Sequence, residues 1–350
     1  MKKKILLLVI ISIVTLTGCG NKENLKKDDD RIIQNNETIT PEKKIEKEEK
    51  NNQEKNNYVS YNGNLKLDGI NLVNQYNEKI RLKGVSSHGL QWFNYLVTDE
   101  NIKTLKSWGA NTFRLAMYTK EGGYVDNKSI YDTLLSDIEL VINNDMYVII
   151  DWHILSDNNP NINKEEAKDF FRKITSKYKD TPNIIYEICN EPNGSTNWNE
   201  VKNYADEIIP IIRENSKKSI IIVGTPTWSQ DVDSVIGNRV NDDNTMYALH
   251  FYSGTHKEFL RDKAKKALEN NIPIFVSEWG VSDASGNGGI YLDEANKWIE
   301  FINQNNLSYI NWSLADKNES SALLLPNNNK IEDNTLSESG KYIKNILSNN

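Results

Sequence analysis

Cysteine is scarce in these 350 residues: only Cys19 and Cys189 occur, which excludes clusters of zinc-binding thiolates and leaves at most one disulfide. Histidine is scarce as well, with four in the chain and no His-x-His pair. That argues against a metal-dependent barrel hydrolase built on His88, His153 and His250, because such sites usually take paired histidines on one strand or a bridging carboxylate. Positive charge is not in excess. Lys and Arg number 42 against 49 Asp and Glu, for a formal net charge of −7 and a pI near 5.4. Nucleic-acid binders need a basic face to displace counterions, so the expected partner is uncharged. Neither a Gly-x-Ser-x-Gly elbow nor a phosphate-binding glycine loop is present. The one long apolar run, residues 5–16, is shorter than the roughly 20 residues a bilayer-spanning helix needs.

What is there begins with that run. It follows Met1-Lys2-Lys3-Lys4, a positive segment before a short apolar core, as in a secretory signal. Next comes Leu16-Thr17-Gly18-Cys19, small residues before a cysteine, which resembles the bacterial lipobox. The resemblance implies a lipoprotein signal peptide at residues 1–18 and a lipidated Cys19. The protein would then sit on the extracellular face of the cell membrane, touching it only through the anchor. Acylation of Cys19 would leave Cys189 without an intrachain partner. Residues 20–57 are mostly Lys, Glu, Asp, Asn and Gln, too polar to offset the entropy of ordering. Residues 19–57 are therefore expected to form a tether, spanning about 35 Å as a coil and about 125 Å when taut.

From Tyr58 onward, short β-rich runs alternate with amphipathic helical ones, the sign of repeated βα units. Eight strands are predicted, at residues 82–89, 112–118, 147–153, 184–190, 220–224, 246–252, 274–279 and 309–314. Tyr147-Val148-Ile149-Ile150 and Ile220-Ile221-Ile222-Val223 are continuous apolar runs, as parallel strands buried on both faces require. Helices are predicted at residues 165–178, 201–215, 257–270, 291–305 and 340–348 from their 3- and 4-residue apolar spacing. This is the pattern of an α/β chain forming a single (β/α)8 barrel, here over residues 58–350. A hairpin at residues 65–83, turning at Asn77-Glu78, is expected to plug the lower mouth.

Barrel active sites gather at the C-terminal ends of the strands. Those ends carry Ser86-Ser87-His88, Arg114 and Tyr118, Asp151-Trp152-His153, Asn190-Glu191-Pro192, His250-Phe251-Tyr252, Glu278-Trp279-Gly280 and Asn311-Trp312. His256 alone of the histidines lies away from a strand end. Glu191 and Glu278 make a carboxylate pair of the kind glycosidic cleavage needs, one to protonate the leaving oxygen and one beneath the sugar. We expect Arg114 and Tyr252 to hold Glu278 ionised while a drier setting keeps Glu191 protonated. Asn190 is placed to bond a sugar 2-hydroxyl. Glu187, deeper on the same strand, reads as a structural ion-pair partner. Sugar faces need flat apolar surfaces, and Trp92, Trp228 and Trp312 are the candidate platforms, with His88 and Tyr118 beside them. Trp108 and Trp298, at apolar helix positions, read as packing.

Three segments carry a family resemblance. They are residues 82–92 (Leu-Lys-Gly-Val-Ser-Ser-His-Gly-Leu-Gln-Trp), residues 185–192 (Ile-Tyr-Glu-Ile-Cys-Asn-Glu-Pro) and residues 311–320 (Asn-Trp-Ser-Leu-Ala-Asp-Lys-Asn-Glu-Ser). Together they resemble glycoside hydrolase family 5, specifically its subfamily 2 cellulases, over essentially residues 60–348. The resemblance implies retaining endo-cleavage of β-1,4-linked glucose without a cofactor. It also assigns family positions to Arg114, His153, Asn190, Glu191, His250, Tyr252, Glu278 and Trp312, with Lys317 and Glu319 as sugar-hydroxyl partners. The expected partner is a β-glucan, and the expected state a monomer. Alternatives at this stage are the same chemistry on mixed-linkage glucan, xyloglucan or mannan, and a membrane-tethered glycan receptor with weak catalysis.

Overall fold

The computed structural model describes residues 58–349. The expected signal peptide, Cys19 and the tether over residues 19–57 lie outside the described residues. Among the described residues no helix is long and apolar enough to cross a membrane.

A short helix, Tyr58–Asn62, precedes a two-stranded antiparallel unit, β1 (Lys66–Asp68) and β2 (Asn71–Val73). Eight parallel strands follow and close on themselves in the order β10-β3-β4-β5-β6-β7-β8-β9. They are β3 (Lys83–Ser87), β4 (Thr112–Tyr118), β5 (Tyr147–His153), β6 (Ile184–Glu187), β7 (Ile221–Val223), β8 (Thr245–Tyr252), β9 (Ile274–Gly280) and β10 (Ser308–Leu314). The α/β expectation of a (β/α)8 barrel is therefore met. Three strands, β3, β6 and β7, are shorter than expected. β6 stops at Glu187 rather than Asn190, because the chain flares there, although Ile188 N still bonds Ile222 O at 2.9 Å.

The strands are buried on both faces, and the two faces differ. Outward positions such as Val148, Ile150, Tyr247, Leu249, Ile274 and Val276 pack in the large cluster with the surrounding helices. Inward positions are apolar only in the lower half, where Tyr147, Ile149, Ile185, Met246, Ala248, Phe275 and Ile310 share one cluster. Continuing up the same stripes, inward positions become Arg114, Asp151, His153, Glu187, His250 and Tyr252. An apolar floor thus carries a titratable ceiling.

Val59, Leu65, Leu72 and Leu82 join the lower cluster from beneath, so the expected plug is present. Ile80 N bonds Leu72 O at 3.0 Å, and Asn77 takes a left-handed φ of 64° in the turn between them. The predicted turn is there, with a second one at Gly69-Ile70 between β1 and β2. The predicted helices appear as Lys164–Lys177, Trp198–Asn215, Glu258–Glu269, Leu292–Gln304 and Glu338–Asn349. The last packs Ile343 and Leu347 into the outer cluster, and its Leu347 carbonyl accepts from Lys83 Nζ at 2.9 Å.

β9 carries an irregularity that the site uses. Ala248 pairs with Phe275, but His250 pairs with Glu278, so β9 spends three residues where β8 spends two. The pairing with β10 shifts in the same place. Such a bulge re-aims side chains, and both Ser277 and Glu278 reach the interior.

Candidate active site

The strand ends line a cleft of about 810 Å3. Into it come His88, Trp92, Tyr118, His153, Glu191, Trp228, His250, Tyr252, Glu278, Trp312, Lys317 and Glu319, twelve of the fourteen sequence candidates from the barrel. Arg114 and Asn190 stand just behind the wall, fully buried.

Glu278 is held from two sides. Arg114 Nη1 donates to Oε2 at 3.1 Å and the Tyr252 hydroxyl donates to Oε1 at 2.8 Å. Tyr252 can reach it because Gly280 has no side chain: a Cβ there would lie 2.7 Å from the tyrosine ring. Glu191 sits in a different environment. Its only described charged hydrogen-bond partner is His250, whose Nδ1 lies 2.9 Å from Oε1. Burial, and then the charge of Glu278, push the Glu191 carboxyl up to about 7 against the pull of His250. One oxygen from each glutamate and a ring nitrogen of His250 lie within 4.8 Å of one another. Such closeness would suit a cation, but both nitrogens of His250 are already engaged, with Glu191 and with Ser277 Oγ at 2.9 Å.

Arg114 organises the buried layer beneath. Its Nε donates to Glu187 Oε2 at 2.7 Å, its Nη2 reaches Asn190 Oδ1 at 2.6 Å and Asp151 Oδ2 at 3.0 Å. Glu187 is thus an ion-pair partner, as expected. Asn190 is tied inward, with Nδ2 also bonding the Ile154 carbonyl at 3.1 Å and His153 Nε2 at 3.2 Å. The structure places it as a brace for Arg114 and His153, behind the residues that line the cleft. With Nε2 accepting from Asn190, the His153 proton sits on Nδ1 and points to Asp151 Oδ2 at 2.6 Å. Burial, then the Arg114 charge, hold His153 near 3, so its ring is neutral. His88 is likewise pushed to about 3 by burial and by Lys317.

The platforms divide into two kinds. Trp92 and Trp228 are each 45% exposed, whereas Trp312 is only 6% exposed. Trp312 forms an aromatic wall, 5.0 Å from His88 and stacked 5.3 Å from His153. The peptide bond after it is cis. Trp92 follows β3 and Trp228 follows β7, four strands apart in the ring of eight, so they flank the cleft from opposite sides. Trp228 rides on an unusual turn: Thr227, Trp228 and Ser229 have φ of 58°, 55° and 55°. Left-handed backbone costs about 1–2 kcal/mol per non-glycine residue, and bonds to the loop that carries Glu191 offset it. Trp228 N donates to Pro192 O at 3.0 Å and Ser229 Oγ to Asn190 O at 2.7 Å. Lys317 and Glu319 pair at 2.5 Å on the rim. Trp108 and Trp298 are packing residues, 7% and 0% exposed.

Sequence reasoning missed some lining residues. His256, set apart in the sequence, also reaches the cleft, because it lies one turn beyond Tyr252 and its Nδ1 accepts that residue's N–H at 2.8 Å. Glu121, Gln230, Thr255 and Ser285 line it from loops, where no periodicity marks them.

A closed eight-stranded barrel with a buried carboxylate pair beneath an aromatic-walled cleft defines a barrel glycoside hydrolase. The chain belongs to the cellulase family, glycosyl hydrolase family 5, whose sequence model matches residues 73–318. It is 51% identical over 291 residues to an endoglucanase of Clostridium saccharobutylicum, covering 81% of this chain and 65% of that protein. It is 45% identical to cellulase CelDZ1 of a Thermoanaerobacterium species, covering 80% of this chain and 79% of that one. Among solved structures, the catalytic domain of a Thermobifida fusca endoglucanase in complex with cellotetraose superimposes with a TM-score of 0.80. Its identity is 32%, over 83% of this chain and 98% of that chain. The chain spans only 56–66% of the length of several curated endoglucanases it matches.

Proposed function

We propose that the chain is a retaining endo-β-1,4-glucanase of the subfamily 2 type, with Glu191 as acid/base and Glu278 as nucleophile. The observation that carries the reading is the contrast between the two glutamates. Glu191 is kept protonated by burial near neutral pH, and Glu278 is gripped by Arg114 and Tyr252, with their oxygens within 4.8 Å. Carboxyls about 5–5.5 Å apart leave no room for a water between them and the sugar, which favours a covalent intermediate. In the first step Glu278 attacks the anomeric carbon as Glu191 gives its proton to the departing glycosidic oxygen. The resulting ester removes the Glu278 charge, one of the causes raising Glu191, so Glu191 becomes a stronger acid and hence more fully ionised. As a carboxylate it then takes a proton from water, which attacks the same carbon and releases Glu278. Two inversions give net retention.

The curated relatives named endoglucanase support a β-1,4-glucan as substrate, and the two exposed tryptophans on opposite sides suit an extended chain. We further read residues 1–18 as a lipoprotein signal peptide, Cys19 as the lipidated residue, residues 19–57 as tether and residues 58–350 as the catalytic domain. The enzyme would work as a monomer on the outer face of the membrane. The test is viscosity and reducing-end release on carboxymethylcellulose, with the anomer of the first product followed by NMR. A fast fall in viscosity and an initial β-anomer are expected. An initial α-anomer would overturn retention, and a lack of turnover on every β-1,4-glucan would overturn the enzyme reading.

A further inference from the structure

We propose that Glu187 and Ser277 are positioning residues that act through His250 to set the proton on Glu191. The inference rests on the reading of Glu191 as acid/base.

The direction of each bond follows from which atoms have protons to give. Glu187 Oε2 accepts from Arg114 Nε at 2.7 Å, and Oε1 accepts from Ser277 Oγ at 2.6 Å. A hydroxyl has one proton, so Ser277, having given it to Glu187, meets His250 Nε2 at 2.9 Å as an acceptor. Nε2 therefore carries a hydrogen. His250 and Glu187 are 3.7 Å apart at their nearest atoms, too far for a direct bond, and the serine hydroxyl is the bridge. At the other end of the ring, Nδ1 faces Glu191 Oε1 at 2.9 Å. With Nε2 protonated, a hydrogen on Nδ1 makes the ring an imidazolium.

Glu187 is the buried charge that supports that cation. Burial works against it, but the carboxylate of Glu187 behind the serine bridge and that of Glu191 hydrogen-bonded to Nδ1 bring His250 up to about 9. The other groups facing the pair are Glu278 from β9, Arg114 from β4, and Asp151 and His153 from β5. His256 and the phenols of Tyr118 and Tyr252 complete the surround. An imidazolium donating to Oε1 does two things. It directs the acid proton of Glu191 to Oε2, the oxygen left for the cleft, and it makes Glu191 easier to ionise for the second step. The β9 bulge makes this possible, since it turns Ser277 inward directly before Glu278.

Ser277→Ala removes the bridge with little loss of volume, and Ser277→Thr keeps the hydroxyl. Two readouts are taken on the full chain: the NMR titration midpoint of the His250 ring, and the pH profile of kcat/KM on soluble β-glucan. In the alanine variant the His250 midpoint should fall by roughly one unit, the size expected for losing a charge-linked partner. The alkaline limb should move to higher pH, since the ring, no longer anchored at Nε2, donates less firmly to Glu191 Oε1. The threonine variant should stay close to wild type, and Glu187→Gln, as a second variant, should shift both readouts in the alanine direction. A structural role would lower activity or melting temperature evenly across pH. An unmoved His250 midpoint in folded Ser277→Ala, or an equal shift in Ser277→Thr, overturns the relay. If the midpoint moves but the wild type hydrolyses no β-glucan, the relay stands and the functional reading fails instead.

Discussion

The Tyr252 hydroxyl donates to Glu278 Oε1 at 2.8 Å, over a glycine that leaves room for its ring. Hydrogen bonds to charged groups contribute about 1.5–3 kcal/mol, so Tyr252→Phe should lower kcat/KM by roughly ten- to a hundredfold. Gly280→Ala should do the same by displacing the ring, with Tyr252 otherwise intact. Steady-state kinetics on a cello-oligosaccharide series checks both.

Replacing either glutamate should separate the two chemical steps. Glu278→Ala and Glu191→Ala are each expected to reduce turnover on cellulose by several orders of magnitude. With an aryl cellobioside whose leaving group needs no proton, Glu191→Ala should still form the glycosyl-enzyme, and azide should then yield the β-glycosyl azide. Glu278→Ala with azide should yield the α-azide. NMR of the products decides the assignment, and the reverse pairing would show the roles exchanged.

The pH profile should fall on the alkaline side as Glu191 loses its proton around 7. Under the proposed assignment the acid form serves the first step. Substrates with good leaving groups should show a flatter alkaline limb, because they bypass that proton. Parallel profiles for both substrate types would contradict the assignment.

Asp137 is a stability group distant from the chemistry. It is buried with one described side-chain bond, from Asn94 Nδ2 at 2.7 Å, and burial raises it from 3.8 to about 8. A carboxyl raised on folding favours the native state below its unfolded pKa, and that contribution is lost as pH rises from about 4 towards 8. Asp137→Asn should therefore raise the melting temperature by a few degrees at pH 8 and leave it nearly unchanged at pH 4. Calorimetry at the two pH values is the check.

The exposed tryptophans should matter in proportion to chain length. Trp92→Ala and Trp228→Ala should each weaken long oligosaccharides by about tenfold, or 1.4 kcal/mol, while sparing the shortest substrates. KM measured across oligosaccharide length reads this out.

The barrel was legible because parallel strands buried on both faces must be apolar runs, as Tyr147-Val148-Ile149-Ile150 is. The ends of those runs led directly to His153, Glu191, His250 and Glu278. What stayed hidden depends on departures from the two-residue period. Ser277 carries no signal in the sequence, because only the bulge in β9 turns it towards His250. The inward ties of Asn190 have no sequence signal either, since the chain beyond Glu187 leaves the ladder and sends its amide to Arg114 and His153. The left-handed run at Thr227, Trp228 and Ser229 has no glycine to announce it. His256 is placed by a single local bond to the Tyr252 backbone.

Tyr58 packs edge-on against Tyr147, the first residue of β5, 6.1 Å between ring centroids. The described chain therefore starts at the pole of the barrel opposite the cleft. A graft made at that residue, whether to a resin, a scaffold protein or a second enzyme, would leave the mouth pointing away from its support. Immobilised in this orientation, the domain would meet a solid polysaccharide face-on. A graft on the loops after β9 or β10 would instead stand in the substrate's path.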